Sequence, residues 1–301
     1  MLAALDIGTN TLLLLIAEQT DGDLRAVHED CQFGRLGKGL DGSGNLDPER
    51  VAQSLEILRD YRDEMTARGV TRVAAVGTQA LREAGNADTF LVPARDVLGA
   101  DVEVITGERE AELAHSAAAH AFPELAAGTF ITADVGGGST EIIVGIDGAV
   151  AWRKSLPIGS VRLAERHLKN DPPTADQARA LIADIDAHLA PLDLPAGAPV
   201  IGVAGTATTL ATVEKRLKTW DPDAIQGLRL PLGAIERQLA RYLEHSVARR
   251  KNIAGLEPQR ADVIPAGAAI FARLLTRAKA DTLIVNDRGV RWGLAWQLAE
   301  G

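Results

Sequence analysis

The chain has 301 residues, 46% of them hydrophobic and 24% charged, which excludes a disordered, collagenous or coiled-coil protein and leaves length for two domains. A single cysteine, Cys31, excludes an internal disulfide framework and a Cys-rich zinc site. The net charge of −9 argues against broad nucleic-acid binding but leaves room for a small basic site that takes a phosphorylated ligand, and arginine, which suits phosphate, outnumbers lysine 25 to 7.

In chain order, the first signals are strands. Residues 5–11 read Leu-Asp-Ile-Gly-Thr-Asn-Thr and lead into the apolar run 12–17; the turn Asp21-Gly22-Asp23 and a strand near 24–29 follow. The Gly- and Asp-rich stretch 34–45 reads as an exposed, mobile loop. A helix is predicted over 48–68, with Asp47 as N-cap and Pro48 in the first turn. Then come a buried-type strand at 71–76, a short helix at 79–84, a strand at 102–105 and a helix at 108–121 stopped by Pro123. The opening pattern now returns 128 residues on: Ala133-Asp134-Val135-Gly136-Gly137-Gly138-Ser139-Thr140-Glu141, a strand at 142–146, the turn Asp147-Gly148 and a strand at 149–155. Helices at 161–169 and 174–189, a strand at 200–204 running into Gly205-Thr206 and a helix, helices at 232–243 and 261–277, a strand at 282–285 and a helix at 289–298 complete the chain. No apolar run reaches the roughly 18–20 residues of a spanning helix, and no basic segment precedes residues 12–17 as a signal peptide requires. The expectation is a soluble, cytoplasmic α/β protein of two related domains, 1–124 and 125–301, with no membrane or nucleic-acid partner.

Three glycine-containing turns each follow a strand: Gly8-Thr9-Asn10-Thr11, Gly136-Gly137-Gly138-Ser139 and Gly205-Thr206. Glycine lets backbone amides close on an anion, hydroxyls add donors, and a helix N-terminus adds partial positive charge. Asp6, Asp134 and Glu141 are the acids of these turns. Carboxylates beside a phosphate repel it unless a cation such as Mg²⁺ joins them; the alternative is that they cap turn amides.

These turns, together with residues 77–84 (Gly-Thr-Gln-Ala-Leu-Arg-Glu-Ala), 105–111 (Ile-Thr-Gly-Glu-Arg-Glu-Ala), 157–162 (Pro-Ile-Gly-Ser-Val-Arg) and 260–267 (Arg-Ala-Asp-Val-Ile-Pro-Ala-Gly), resemble the exopolyphosphatase / guanosine pentaphosphate phosphatase family over residues 2–294. The resemblance implies two ribonuclease-H-like domains of the actin / Hsp70 / sugar-kinase superfamily, with the active site in the cleft between them. It implies Glu110 as the catalytic base that activates water. Glu108 stands as the alternative, because the family often has two adjacent acids where this chain has Arg109-Glu110. It implies Asp134 and Glu141 as ligands of Mg²⁺ (or Mn²⁺), to which the reading of the acidic turns adds Asp6. Phosphate contacts fall to Gly8, Thr9, Asn10, Thr11, Gly136, Gly137, Gly138 and Ser139, with Gly205-Thr206 as a third turn and Arg82 facing the phosphates. The chain's length resembles the short, two-domain members, and a homodimer is expected on the same basis.

The implied reaction is hydrolysis of a terminal phosphoanhydride, releasing orthophosphate from inorganic polyphosphate or converting guanosine pentaphosphate to the tetraphosphate. Arg162 and Arg260 are further candidates for a polyanion track, which Arg25, Arg35 and Lys38 could extend. The six histidines show no metal spacing and read as structural, and no histidine lies beside Ser139 in sequence to support a covalent step. The rival readings are another phosphotransferase of the same superfamily, or a non-catalytic regulator that binds an alarmone or polyphosphate.

Overall fold

Each half opens with apolar runs interrupted by four turn residues, and each forms an antiparallel meander. The computed structural model describes residues 1–20 and 22–300; Asp21, part of the turn expected after residue 20, and Gly301, the end of the second expected domain, lie outside the described residues. In the first meander β1 (Leu2–Ile7), β2 (Leu12–Thr20) and β3 (Asp23–Gln32) pair in succession. Then follow α1 (Leu40–Ser43), α2 (Pro48–Ala67), β4 (Arg72–Gly77), α3 (Gln79–Glu83), α4 (Asp88–Leu98), β5 (Val102–Val104) and α5 (Gly107–Ala121). The sheet order is β3-β2-β1-β4-β5, with β4 and β5 parallel to β1, the order of a ribonuclease-H-like domain.

The second half repeats this plan. After α6 (Pro123–Ala126), the strands β6 (Thr129–Val135), β7 (Thr140–Ile146) and β8 (Ala149–Leu156) make the meander. Next come α7 (Ser160–His167), α8 (Ala175–Leu189), β9 (Val200–Val203), α9 (Ala204–Lys215), α10 (Pro222–Ile225) and β10 (Arg229–Pro231). They are followed by α11 (Leu232–Glu244), α12 (Val247–Arg250), α13 (Ile264–Ala278), β11 (Thr282–Val285) and α14 (Val290–Glu300). Here the order is β10-β11-β9-β6-β7-β8, so β6 pairs antiparallel with β7 and parallel with β9 as β1 does with β2 and β4.

The chain divides into two compact units, Met1–Ala117 together with the segment beginning at Val290, and Ala118–Gly289. The terminal helix, expected with the second domain, therefore belongs with the first. Its first turn explains why: the Arg291 guanidinium, nearly buried, donates to the carbonyls of Leu14 (3.4 Å) and Asp30 (3.2 Å) and pairs with Glu29, to which the Trp292 indole also donates (3.3 Å). The first core is built of Leu5, Ile7, Leu12, Leu14 and Ile16 against Leu58, Tyr61 and Phe90; the second of Ile131, Val135 and Ile142 against Leu210, Phe271 and Leu275.

Local signals account for most elements. Asp47 caps α2 by accepting from the amides of Glu49 (2.8 Å) and Arg50 (3.1 Å). Thr174 and Gln177 form a capping box at α8. Sequence reasoning missed α4, because Pro93 inside it reads as a breaker, and β10, whose three residues are too short to show a period. The 34–45 stretch is exposed at 38–39 and 41–45, as expected, but Gly34, Leu36, Gly37 and Leu40 are buried, and residues 35–37 bond to the turn after β1. Gly34 and Gly37 permit that close approach, whereas a Cβ at Gly39, Gly42 or Gly44 would meet nothing within 4 Å.

Arg250 is the largest fully buried side chain. Its Nε donates to the carbonyls of Tyr242 (2.8 Å) and His245 (2.9 Å), and its Nη1 to Ala261 (2.6 Å), tying the end of α11 to the approach to α13. Arg250→Met keeps the volume but strands these carbonyls. We expect it to lower the unfolding free energy by about 3 kcal/mol, read from urea denaturation.

Candidate active site

The two duplicated turns are built alike. In the first, the Gly8 amide donates to the Thr11 carbonyl (2.9 Å); in the second, Gly136 donates to Ser139 (3.1 Å). Asp6 and Asp134 sit two residues before these glycines, at the ends of β1 and β6. A further match appears only in three dimensions. The Thr78 amide, just past β4, donates to the Ile7 carbonyl (3.1 Å), and the Thr206 hydroxyl, just past β9, donates to the Val135 carbonyl (3.1 Å). Thr206 was expected to offer its hydroxyl to phosphate; in this structure that hydroxyl braces the strand end instead.

In the first unit the turn is nearly buried and polar. Thr9 and Asn10 are each 6% exposed, and the Thr9 hydroxyl donates to Gln79 Oε1 (2.9 Å). Among the described residues, Asn10 Nδ2 and Asp6 Oδ1 are buried without a hydrogen-bond partner. A lone donor and a lone acceptor at one turn mark a place where a ligand supplies the missing partners. Burial pushes the Asp6 carboxyl up to about 7, against the opposing pull of the Arg291 guanidinium.

Glu110 lies in the first turn of α5 and is only 7% exposed, whereas Glu108 is exposed. Arg82, on α3, donates through Nη1 to the Ile105 carbonyl (2.6 Å) and reaches Glu110 Oε2 (3.3 Å). The residues at 82 and 110, both singled out in the sequence, thus form one ion pair, with the arginine anchored to backbone.

In the second unit Asp134 and Glu141 stand directly opposite each other on β6 and β7, and both are buried. The Ser155 hydroxyl donates to Glu141 Oε1 (2.6 Å). Ser139 is 4% exposed beside them. The Arg260 guanidinium lies over Gly205 at the start of α9, where a Cβ at that position would meet it at 2.2 Å. Arg25, by contrast, is exposed and paired with Glu18, away from the first turn.

Within the second unit, the buried acids Asp134 and Glu141, opposite each other on β6 and β7, suit a hard divalent cation. Mg²⁺ takes one or two carboxylates and fills its remaining positions with phosphate oxygens and water. Among the described residues no group of three or more His, Cys, Asp or Glu is placed to hold a metal ion. The donor set fits Mg²⁺.

The model of the Ppx/GppA phosphatase family matches residues 15–300. The chain belongs to this family. Exopolyphosphatase 2 of Mycobacterium tuberculosis is 37% identical over 99% of this chain and 98% of its own length. A guanosine-5'-triphosphate,3'-diphosphate pyrophosphatase of Vibrio atlanticus is 28% identical over 99% of this chain, which spans 59% of that longer protein. Among solved structures, the family member of Aquifex aeolicus superposes with a TM-score of 0.84 at 34% identity, covering 99% of this chain and 97% of its own. An exopolyphosphatase of Cytophaga hutchinsonii superposes with a TM-score of 0.90 at 27% identity, covering 99% and 98%. Among the described residues no helix is long and apolar enough to cross a membrane.

The buried Asp6 carboxyl gives a signature in the chelated, ligand-free protein. The native state keeps a proton that the unfolded chain gives up near pH 4, so this group's contribution to stability falls as pH rises from about 4 to about 7. Asp6→Asn is expected to remove that slope and to be more stable than the parent at pH 8 by about 2–4 kcal/mol. Urea unfolding of both proteins at pH 4, 6 and 8 measures it.

Proposed function

We propose that this phosphatase hydrolyses the terminal phosphoanhydride bond of inorganic polyphosphate, releasing orthophosphate, and that it also removes the 5′-γ-phosphate of guanosine pentaphosphate. One observation carries the reading: a nearly buried glutamate, Glu110, whose carboxylate is held by an arginine that is itself fixed to the backbone.

A terminal phosphoryl group asks the protein for little covalent chemistry and much positioning. Glu110 is the base: its carboxylate accepts a proton from the attacking water and aligns that water with the terminal phosphorus. Arg82 keeps the carboxylate pointed. The amides of Thr9–Thr11 in one turn and of Gly137–Ser139 in the other, the Asn10 amide group, and the α9 N-terminus at Gly205 with Arg260 over it are the donors for phosphoryl oxygens and the leaving phosphate. Asp134, Glu141 and Asp6 would hold Mg²⁺, which supplies charge neutralisation to a polyanion otherwise repelled by those acids. Polyphosphate and guanosine pentaphosphate both end in a phosphoanhydride-linked phosphate, so the same groups serve both.

Glu110→Gln keeps the size and the hydrogen bond to Arg82 but cannot take the proton. Turnover is expected to fall by about 10²–10⁴-fold while binding of polyphosphate persists. Glu108→Gln is expected to stay within about threefold of the parent, as an exposed helix carboxylate should. The measurement is phosphate release from long polyphosphate, tripolyphosphate and guanosine pentaphosphate, side by side for the parent and both variants. Parent-like turnover in Glu110→Gln removes the assignment of the base; no release by the parent from any of the three removes the function.

A further inference from the structure

Two segments outside the phosphate turns bond to the carbonyls of those turns and share one acceptor position. In the second unit, the residues leading into α7 lie on the Gly136–Gly138 loop. The Ser160 amide donates to the Gly136 carbonyl (2.9 Å), and the Val161 (2.8 Å) and Arg162 (3.1 Å) amides both donate to the Gly137 carbonyl. The Ser160 hydroxyl adds a bond to Gly136 (3.2 Å). In the first unit, the Arg35 amide donates to the Asn10 carbonyl (3.0 Å) and the Gly37 amide to the Thr9 carbonyl (2.9 Å). Thr9 and Gly137 occupy the same place in the two duplicated turns, one residue after the glycine that closes each.

Both segments come so close that a glycine is required. A Cβ at Gly159 would stand 2.4 Å from the Gly137 carbonyl oxygen and 2.5 Å from the carbonyl carbons of Gly137 and Gly138. These are backbone atoms and can yield only if the loop moves. A Cβ at Gly37 would stand 2.3 Å from Thr9 Cγ2, on a side chain whose hydroxyl is already tied to Gln79. The N-terminal amides of α7 are spent on loop carbonyls, so they are not themselves an anion site.

We infer that Gly159 and Gly37 are positioning residues for phosphate binding. The segments they belong to draw the carbonyls of Gly136, Gly137, Thr9 and Asn10 onto protein amides, so that those oxygens do not meet the anion and the loop amides keep a fixed fan. This rests on the reading of both turns as phosphate loops. Relieving the clash at Gly159 displaces the loop by about 1 Å, a misplacement that costs about 10²-fold in rate.

The test uses Gly159→Ala, Gly37→Ala and the milder Ser160→Ala, which deletes one hydroxyl bond to the loop. Three quantities are read on folded protein: Tm, the Kd for inorganic tripolyphosphate by calorimetry, and kcat and KM for long polyphosphate. For each glycine variant we expect Kd and KM to rise at least tenfold and kcat/KM to fall about 10²-fold. For Ser160→Ala we expect a two- to tenfold rise in Kd and KM, about what one neutral hydrogen bond contributes, with Tm close to the parent. A lowered Tm with parent-like Kd and KM in the glycine variants overturns the inference and leaves these glycines a purely structural role. If neither glycine variant folds, Ser160→Ala decides, and unchanged Kd and KM overturn it. If the parent releases no phosphate yet binds tripolyphosphate, the proposed hydrolysis fails while the Kd comparison still decides the positioning role. If the parent does not bind tripolyphosphate, both fall.

Discussion

A backbone that offers amides to an anion also carries carbonyls, one for every amide, and these must be turned elsewhere. This constraint orders much of the structure. Each turn is closed by its own glycine amide, Gly8 or Gly136, which disposes of the carbonyl at the far end of the turn. The inner carbonyls need donors from outside, and segments that follow each meander supply them: residues 35–37 for the first turn and 160–162 for the second. The strand ends just before the turns are braced in turn by Thr78 and Thr206.

The second constraint is charge. Carboxylates repel phosphate, yet Asp6, Asp134 and Glu141 are placed at the strand ends beside the turns, the last two buried. Burial raises the proton affinity of Asp6, and a buried carboxylate left unneutralised is costly. A divalent cation bound there would resolve the conflict, neutralising acids and phosphate together. The protein contributes its own cation in the first unit: Arg291 arrives from the far end of the chain to sit among β2 and β3, which is why α14 returns to the sheet that opened the molecule. No local sequence pattern announces that return, because it depends on which unit offers a buried acid and free carbonyls to an arginine more than 260 residues away.

The fold was largely legible, because its signals are local. The Asp47 cap, the Asp147-Gly148 turn and the buried-type strand at 71–76 lie within a few residues of the elements they specify, and the 128-residue repeat shows as two copies of one short local pattern. What was not legible required partners far away in sequence. The 34–45 stretch has the composition of a free loop, and only the approaches of Gly34 to Ser54 and Leu12 and of Gly37 to Thr9 show that these two glycines serve close packing. The segment at 157–162 was visible as a motif, but its task depends on the loop about twenty residues before it. For the site, the residue types, their turns and the preference for Glu110 by its place before Ala111 could be read directly, whereas the burial of Glu110 and its distance to Arg82 are not contained in a one-dimensional pattern.

The duplication also shows where the halves have diverged. In the second hairpin the partner of Asp134 across the ladder is Glu141; in the first, the partner of Asp6 is Leu13. The second turn is three glycines and a serine, bare backbone with two carboxylates behind it. The first carries Thr9 and Asn10, with the Asn10 side-chain amide left as a buried donor among the described residues. One copy therefore has the composition to hold a cation next to phosphate, and the other to hold phosphate with side-chain donors. A second acid opposite Asp6 would add another buried charge beside a carboxyl that burial already pushes up to about 7, so Leu13 is the residue that keeps the first turn's acid count at one. The two turns share the bond that closes them, Gly8 to Thr11 and Gly136 to Ser139, and differ in the side chains they carry.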